Sequence, residues 1–320
     1  MLATRVTIST YSCICSQLVF MRLNADLCGI FHKLARLAAN LEPSTQRESQ
    51  IRMRGSAVLN ARLMCFFYIY GLASVAFLTM LFLYIKPLWI EETASAVMRL
   101  FGDSDVDLSC LEWSLRLAWL PVQSCMVAVW TNSFLCLIGC MIFIYATCAD
   151  LFEAIGRSVE QGHCSRITYA LLQGVLDVLL RLDDTFADVL PHLLVVSVVL
   201  PLLSTVELAT RGTEADAFAL LNAPLIFAVF VPICFAGDRL SVARSGMSRS
   251  AFYGPWLEES QRCKKLRLAL MHVADGRGAQ VRGSGIGLLN RRACGKALKS
   301  WFSFLQVLVN VKRRNAATVK

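Results

Sequence analysis

Residues 63–85, LMCFFYIYGLASVAFLTMLFLYI, form a run of 23 residues without a charged side chain. An α-helix rises about 1.5 Å per residue, so this run would extend about 34 Å, which is enough to cross a hydrocarbon core of about 30 Å. Buried helices of soluble proteins rarely need so long an uncharged run. The stretch therefore predicts a membrane-spanning helix.

Uncharged windows recur elsewhere in the 320-residue chain, which has 56% hydrophobic but only 17% charged residues. Soluble domains carry about 25% charged residues, so lipid must cover the excess apolar surface. The other windows are residues 117–149, 189–206, 217–237 and 300–311. The last is short, but Lys296 and Lys299 can extend to the interface at one end. The sequence predicts an all-α polytopic membrane bundle with five spans, or six if the marginal window 6–21 is a span rather than a secretory signal.

The distribution of charge predicts the orientation of the loops. Basic residues dominate segments 22–62 and 238–292, whereas acidic residues dominate segment 86–116. Lys and Arg favour cytoplasmic loops, so the first two segments are expected inside and the third outside. Alternation then places segment 150–188 inside, and both the turn 211–216 and the C-terminus outside. The net charge of +9 is thus explained by loop placement and not by nucleic acid.

Motifs for catalysis or metal binding are weak in this sequence. Most of the thirteen cysteines lie in or beside apolar windows, where a thiol is a small apolar group. Cys110, in the predicted outer loop, is placed for a disulfide with an N-terminal cysteine such as Cys13. The four histidines have no ligand spacing, and no serine or cysteine has a nucleophile elbow around it. We predict no enzyme activity, no metal site and no cofactor.

Aromatic and methionine side chains cluster in the outer halves of two predicted spans. An interfacial belt or ordinary packing explains most such clusters. The alternative is an apolar cavity with a polar group such as Gln123 or Thr131, which would suit small volatile apolar molecules. The candidate lining residues are Phe77, Met80, Tyr84, Gln123, Met126 and Trp130. Glu207, an acid within an apolar window, is expected to contact headgroups or water, or otherwise a ligand or a neighbouring helix.

Several short stretches are similar to those of the insect odorant receptor family. They are CFAGDRL at 234–240, AFYGPWL at 251–257, RCKKLRLALM at 262–271, LKSWFSFLQVL at 298–308, AWLP at 118–121 and ADLF at 149–152. The resemblance covers residues 54–311. Trp301 stands where that family usually has tyrosine, Cys294 where phenylalanine is expected, and a glycine-rich turn replaces one that usually contains proline.

The resemblance implies a seven-span receptor with its N-terminus inside, so this chain is expected to lack the first span and possibly part of the second. It implies a plasma-membrane protein of olfactory sensory neurons, an odorant-gated non-selective cation channel that forms a hetero-tetramer with the olfactory co-receptor. Residues 1–149 would hold the odorant pocket, and residues 150–320 the intersubunit anchor and the pore helix. The implied pore residues are Phe304, Gln306 and Leu308, and the implied anchor residues are Tyr253, Trp256 and Leu266.

Two other receptor classes are alternatives. Gustatory-type chemoreceptors share this architecture, but their final helix carries a glutamine-phenylalanine pair where Val307 and Leu308 stand here. A divergent G-protein-coupled receptor would require the opposite orientation and an acidic-arginine-aromatic motif after a span, which does not follow the third predicted helix. The sequence favours the odorant receptor interpretation.

Overall fold

The computed structural model of the chain describes residues 2–41, 43–84, 108–187, 190–212, 217–275, 282–283 and 287–318. Its helices are α1 (Leu2–Ala39), α2 (Pro43–Tyr84), α3 (Leu108–Glu160), α4 (Arg166–Phe186), α5 (Leu190–Arg211), α6 (Ala217–Asn222), α7 (Val231–Tyr253), α8 (Gln261–Asp275) and α9 (Arg291–Thr318). A π-helical turn, Ile226–Phe230, leads directly into α7. Strand β1 (Arg282–Gly283) pairs antiparallel with β2 (Gly287–Leu288) before α9. The predicted all-α class is confirmed.

Within the described part of the chain, three segments are long and apolar enough to cross a membrane. They are Gln50–Ala73, Leu135–Glu160 and Ile226–Tyr253. Each overlaps a window predicted from the sequence. The two remaining predicted windows lie largely in α5 and within α9. Helix α3 has 53 residues and would extend about 80 Å, so it must continue well beyond a hydrocarbon core.

Contacts of α3 with its neighbours fix the relative directions of the long helices. Arg52 of α2 bonds Glu153 at 2.9 Å, and Met64 packs against Gly139, so α2 runs antiparallel to α3. Helix α7 runs parallel to α3, because Arg239 bonds Asp150 while Ser250, eleven residues later, lies 3.2 Å from Glu160. The basic segments 22–62 and 238–292 therefore meet the end of α3 at the same end of the bundle.

A buried carboxylate joins three of these helices. Asp150 is 2% exposed and accepts a hydrogen bond of 2.7 Å from Ser56 of α2. It also forms an ion pair with Arg239 of α7. A charge is tolerated in such a place when it is paired and hydrogen-bonded, so this junction ties α2 and α7 to α3 in one register.

Helix α1 packs by a seven-residue pattern. Its buried side chains include Leu23, Leu27, Ile30 and Leu34, spaced alternately four and three residues apart. That spacing keeps one face of a helix against its neighbours. Lys33 on the same helix pairs with Asp177 of α4. Segment 22–62 was predicted only as an inner segment, and its first part, residues 22–41, is a packed helical element.

Helix α4 begins with a capping box between Ser165 and Thr168, in which each side chain bonds the backbone N–H of the other. Its apolar stripe is buried along its length, as Leu172, Val178 and Phe186 illustrate. The helix packs against α1, α3 and α8. Segment 150–188 is therefore part of the packed core at the end of the bundle that segments 22–62 and 238–292 share.

We expect Asp183→Asn to stabilise the protein at neutral pH. Burial and the neighbouring Asp184 raise the pKa of Asp183 from 3.8 to about 6. The folded state thus holds this proton more tightly than the unfolded state, so stability falls as pH rises from about 4 to 6 and stays reduced above that range. The variant should gain about 1 to 2 kcal/mol at pH 7.5, after a discount for partial exposure, and much less at pH 4.5.

The measurement is the melting temperature of the detergent-solubilised protein at both pH values. Asp177→Asn is the control of opposite sign, because hydrogen bonding to Lys33 lowers the pKa of Asp177 below its usual value. That variant should lose stability at pH 7.5. An equal effect of Asp183→Asn at both pH values would contradict the prediction.

Candidate functional site: the anchor turn and the final helix

The turn between α7 and α8 is built around a buried arginine. Arg267 is 0% exposed, and its guanidinium forms an ion pair with Glu259 through two nitrogens, with Nε to Oε2 at 3.0 Å. A third nitrogen, Nη1, donates to the backbone carbonyl of Ala251 at 3.0 Å. Planar guanidinium suits such bidentate pairing, and these bonds hold the end of α7, the turn and α8 together.

The residues of the AFYGPWL stretch surround this guanidinium. A Cβ on Gly254 would lie 1.8 Å from Nη1 of Arg267, so any larger residue would displace the guanidinium from this position. The ring of Trp256 lies 5.6 Å from Cζ of Arg267 and its Nε1 donates to the carbonyl of Phe252. Trp256 contributes a cation–π contact in this way. The sequence interpretation selected Trp256 but missed Arg267, which stands in a run of basic residues whose other members are exposed or half-buried.

The other two predicted anchor residues lie on different sides of this turn. Leu266 is half-buried and packs against the core, whereas Tyr253 is exposed. Phe252, Leu257 and Leu268 are exposed as well, Leu257 to 96%. These four exposed apolar residues lie at the end of α7, in the turn and in α8, and we call them the anchor surface. Grouped large apolar side chains of this kind are typical of protein contact sites.

The final helix α9 packs antiparallel to α7. Asn290 caps its start by accepting from the N–H of Ala293 at 2.8 Å. Near that start, Arg291 pairs with Asp238 at 3.1 Å. Two to three turns later, the ring of Trp301 meets that of Phe227 edge-on, with centroids 5.7 Å apart. Helix α9 therefore lies alongside the apolar segment Ile226–Tyr253.

The structure places the three predicted pore residues on different sides of α9. Trp301 is buried, and Leu298, Leu305 and Leu308 are half-buried, so these four define the packed face of the helix. Leu308 thus lies on the side that contacts the rest of the chain. Phe304 is 44% exposed at the edge of this face, and Gln306 is exposed on the far side. Their roles in a pore stay a prediction.

Glu207 differs from its expected environment. It is 1% exposed, and its Oε1 lies 3.8 Å from Nη1 of Arg211, one helical turn later in α5. The expectation of contact with headgroups or water is wrong, since a carboxylate so deeply buried interacts with protein groups. The alternative, a polar contact inside the bundle, fits this burial better.

No protein-family model and no curated protein sequence matches this chain. Solved structures do match it. The structure of the insect olfactory receptor OR5 from Machilis hrabei superposes with a TM-score of 0.63 at 12% sequence identity, over 96% of this chain and 80% of that chain. The structure of the same receptor in complex with eugenol gives a TM-score of 0.66 at 12% identity, over 95% and 80%.

The chain has the insect olfactory receptor fold. The resemblance stated from the sequence is confirmed at this level, since the shared architecture extends over almost the whole chain. A shared fold does not by itself carry a function, which has to be argued from sites.

The odorant pocket expected in this olfactory receptor fold falls mostly outside the described side chains. Phe77 and Met80 are described, on the last third of α2, and are exposed. The remaining four candidates lie on helical backbone of α2 and α3, but their side chains are outside the described part: Tyr84, Gln123, Met126 and Trp130. The proposed disulfide partner Cys13 is likewise outside it, while Cys110 is exposed. The pocket therefore stays a prediction.

Proposed function

We propose that this chain is an odorant receptor subunit, a ligand-gated non-selective cation channel that opens together with the olfactory co-receptor. The observation that carries the proposal is the olfactory receptor fold, which extends over 96% of the chain. One of the matching solved structures is a receptor in complex with eugenol. The enzyme alternative has no supporting residue in the sequence.

The proposed ligand is a small volatile apolar molecule held by the candidate residues of α2 and α3. Binding would come from dispersion and desolvation, because the candidate set is aromatic and methionine-rich with a single amide, Gln123. An apolar ligand opens such a channel only by binding the open state more tightly than the closed state. A shift from mostly closed to mostly open would require a preference of about 10⁴-fold.

The proposed assembly places the anchor surface against neighbouring subunits. Its four exposed apolar side chains border a turn that Arg267 holds rigid, so the surface is pre-organised for contact. The co-receptor would supply the neighbouring chains of a tetramer. Movement of this turn would be transmitted to α9 through α7, which pairs with α9 by Asp238 and Arg291.

The deciding experiment records whole-cell currents during exposure to a panel of volatiles, with and without the co-receptor. We expect odorant-evoked cation currents only with the co-receptor and without a G-protein pathway. Trp130→Ala should change the set of effective odorants while surface expression is kept. Trp113→Ala, on the same helix about 26 Å away, is the matched control and should leave that set unchanged.

Currents that require a G protein would refute the channel proposal. An odorant profile of Trp130→Ala identical to that of the unmodified chain would remove Trp130 from the pocket.

A further inference from the structure

Helix α9 carries a polar stripe on the side opposite its packed face. The stripe contains five exposed residues spaced alternately three and four apart: Lys296, Lys299, Ser303, Gln306 and Asn310. That spacing keeps them on one line along a helix of 3.6 residues per turn. From first to last the stripe is about 21 Å long, some two-thirds of a hydrocarbon core. Exposed Arg292, one turn before Lys296, continues the same line to the start of the helix.

Two apolar flanks separate the stripe from the packed face. Phe302 and Val309 form one flank, and Phe304 and Val311 form the other, each pair seven residues apart and all four exposed. Going around the helix, the order is packed face, apolar flank, polar stripe, apolar flank. Such a helix is suited to a closed ring of equivalent helices from neighbouring subunits. In that ring the apolar flanks of adjacent helices would pack against each other, and the polar stripes would face the centre.

Hydrocarbon is an unfavourable neighbour for the stripe. Helix α9 lies beside Ile226–Tyr253, a segment long and apolar enough to cross the membrane, so the stripe runs at membrane depth for part of its length. Amide and hydroxyl groups are unfavourable against hydrocarbon, and ammonium groups far more so. Polar side chains at this depth face water or protein.

We propose that Lys296 and Lys299 line one end of a water-filled path enclosed by α9 helices of neighbouring subunits, where they attract anions and repel cations. This inference rests on the proposed channel function and deepens it. Each subunit would add two ammonium groups to a narrow part of the path, and rings of charged side chains set ion selectivity in pores. A subunit partner without these lysines dilutes the positive charge, so cation passage depends on the composition of the assembly.

The test measures how fast a cysteine on the stripe reacts with two small thiosulfonates, one anionic and one cationic, in the full-length chain at the cell surface with the co-receptor. Ser303→Cys should react with both, above the background of the natural cysteines. Each rate is divided by the rate of the same reagent with a free thiol in solution. After this normalisation the anionic reagent should react several-fold faster than the cationic one, because positive potential concentrates anions. Adding Lys299→Gln should lower this preference several-fold.

Two controls make the result specific. Lys265→Gln removes an exposed lysine of α8 away from the stripe and should leave the preference of Ser303→Cys unchanged. Leu305→Cys, two residues from Ser303 but on the packed face, should stay unlabelled. Gln306→Cys repeats the measurement at a second stripe position.

The readout is chemical labelling, so it does not depend on current. An unlabelled Ser303→Cys and Gln306→Cys would overturn the water-filled path, and a charge preference unaffected by Lys299→Gln would overturn the role of the lysines. Labelling with the expected preference in cells that give no odorant-evoked current would support this inference and refute the proposed gating.

Discussion

Arg267→Met is expected to lower the free energy of unfolding by about 3 to 5 kcal/mol, a large part of the 5 to 15 kcal/mol typical of folded domains. The substitution leaves Glu259, with a side chain only 7% exposed, as an unpaired buried charge. It also removes the donor to Ala251 and the cation over the ring of Trp256. The end of α7 and the start of α8 would lose the group that holds them together.

The measurement is the fraction of monodisperse protein after solubilisation and its melting temperature, followed by fluorescence-detected chromatography. Arg262→Met, an exposed arginine of the same helix, is the matched control and should change the melting temperature little. The double variant Arg267→Met with Glu259→Gln should recover part of the loss, because no uncompensated charge stays buried. A double variant no more stable than Arg267→Met alone would contradict the role given to the charge.

Gly156→Leu is expected to force α3 and α7 apart and to cost about 1 to 3 kcal/mol or more. These helices run side by side, and a Cβ on Gly156 would lie 3.3 Å from Cα of Met247. The obstacle is backbone, so it cannot move aside as a flexible side chain would. A leucine also adds three further carbon atoms at this crossing.

Gly246→Leu is the matched control, since Gly246 lies in α7 next to Met247 and has nothing within 4 Å of its ideal Cβ position. There the exchange should be neutral or favourable, because glycine costs about 1 kcal/mol relative to good helix formers. The comparison uses melting temperatures of both variants in the same detergent. Similar losses in the two variants would show that the close approach of α3 and α7 is not the cause.

The long helices were predictable from the sequence because the requirement for spanning a membrane is local. A window such as 63–85 reveals itself by the absence of charge, whatever its neighbours are. The excess of basic residues in segments 22–62 and 238–292 is also a local property, and it predicted that both segments lie at the same end of the bundle. The packing of α1 was also accessible, since Leu23, Leu27, Ile30 and Leu34 already show a seven-residue pattern. That pattern was overlooked because the segment was analysed for charge alone.

Burial of single polar groups was not predictable in this way. Arg267 stands in the run RCKKLRL beside other basic residues, and nothing in that run distinguishes it from its exposed neighbour Lys265. Its burial depends on Glu259, on the carbonyl of Ala251 and on the space left by Gly254, which meet only when the turn folds. Glu207 was misjudged for the same reason, because its burial is set by the surrounding helices.

By itself, the sequence of this protein determined that the chain is a bundle of membrane helices, which of its segments share one end, and which family it resembles. These properties depend on the composition and spacing of residues along the chain, because the hydrophobic effect acts on each side chain separately. The tertiary structure alone decided which face of α9 is covered. Its aromatic and leucine residues suggested Phe304 and Leu308 as pore residues, but in the folded chain Leu308 is half-buried on the packed face, whereas the lysine-bearing stripe is exposed. A helix with several apolar positions can bury more than one face, and only its neighbours select among them.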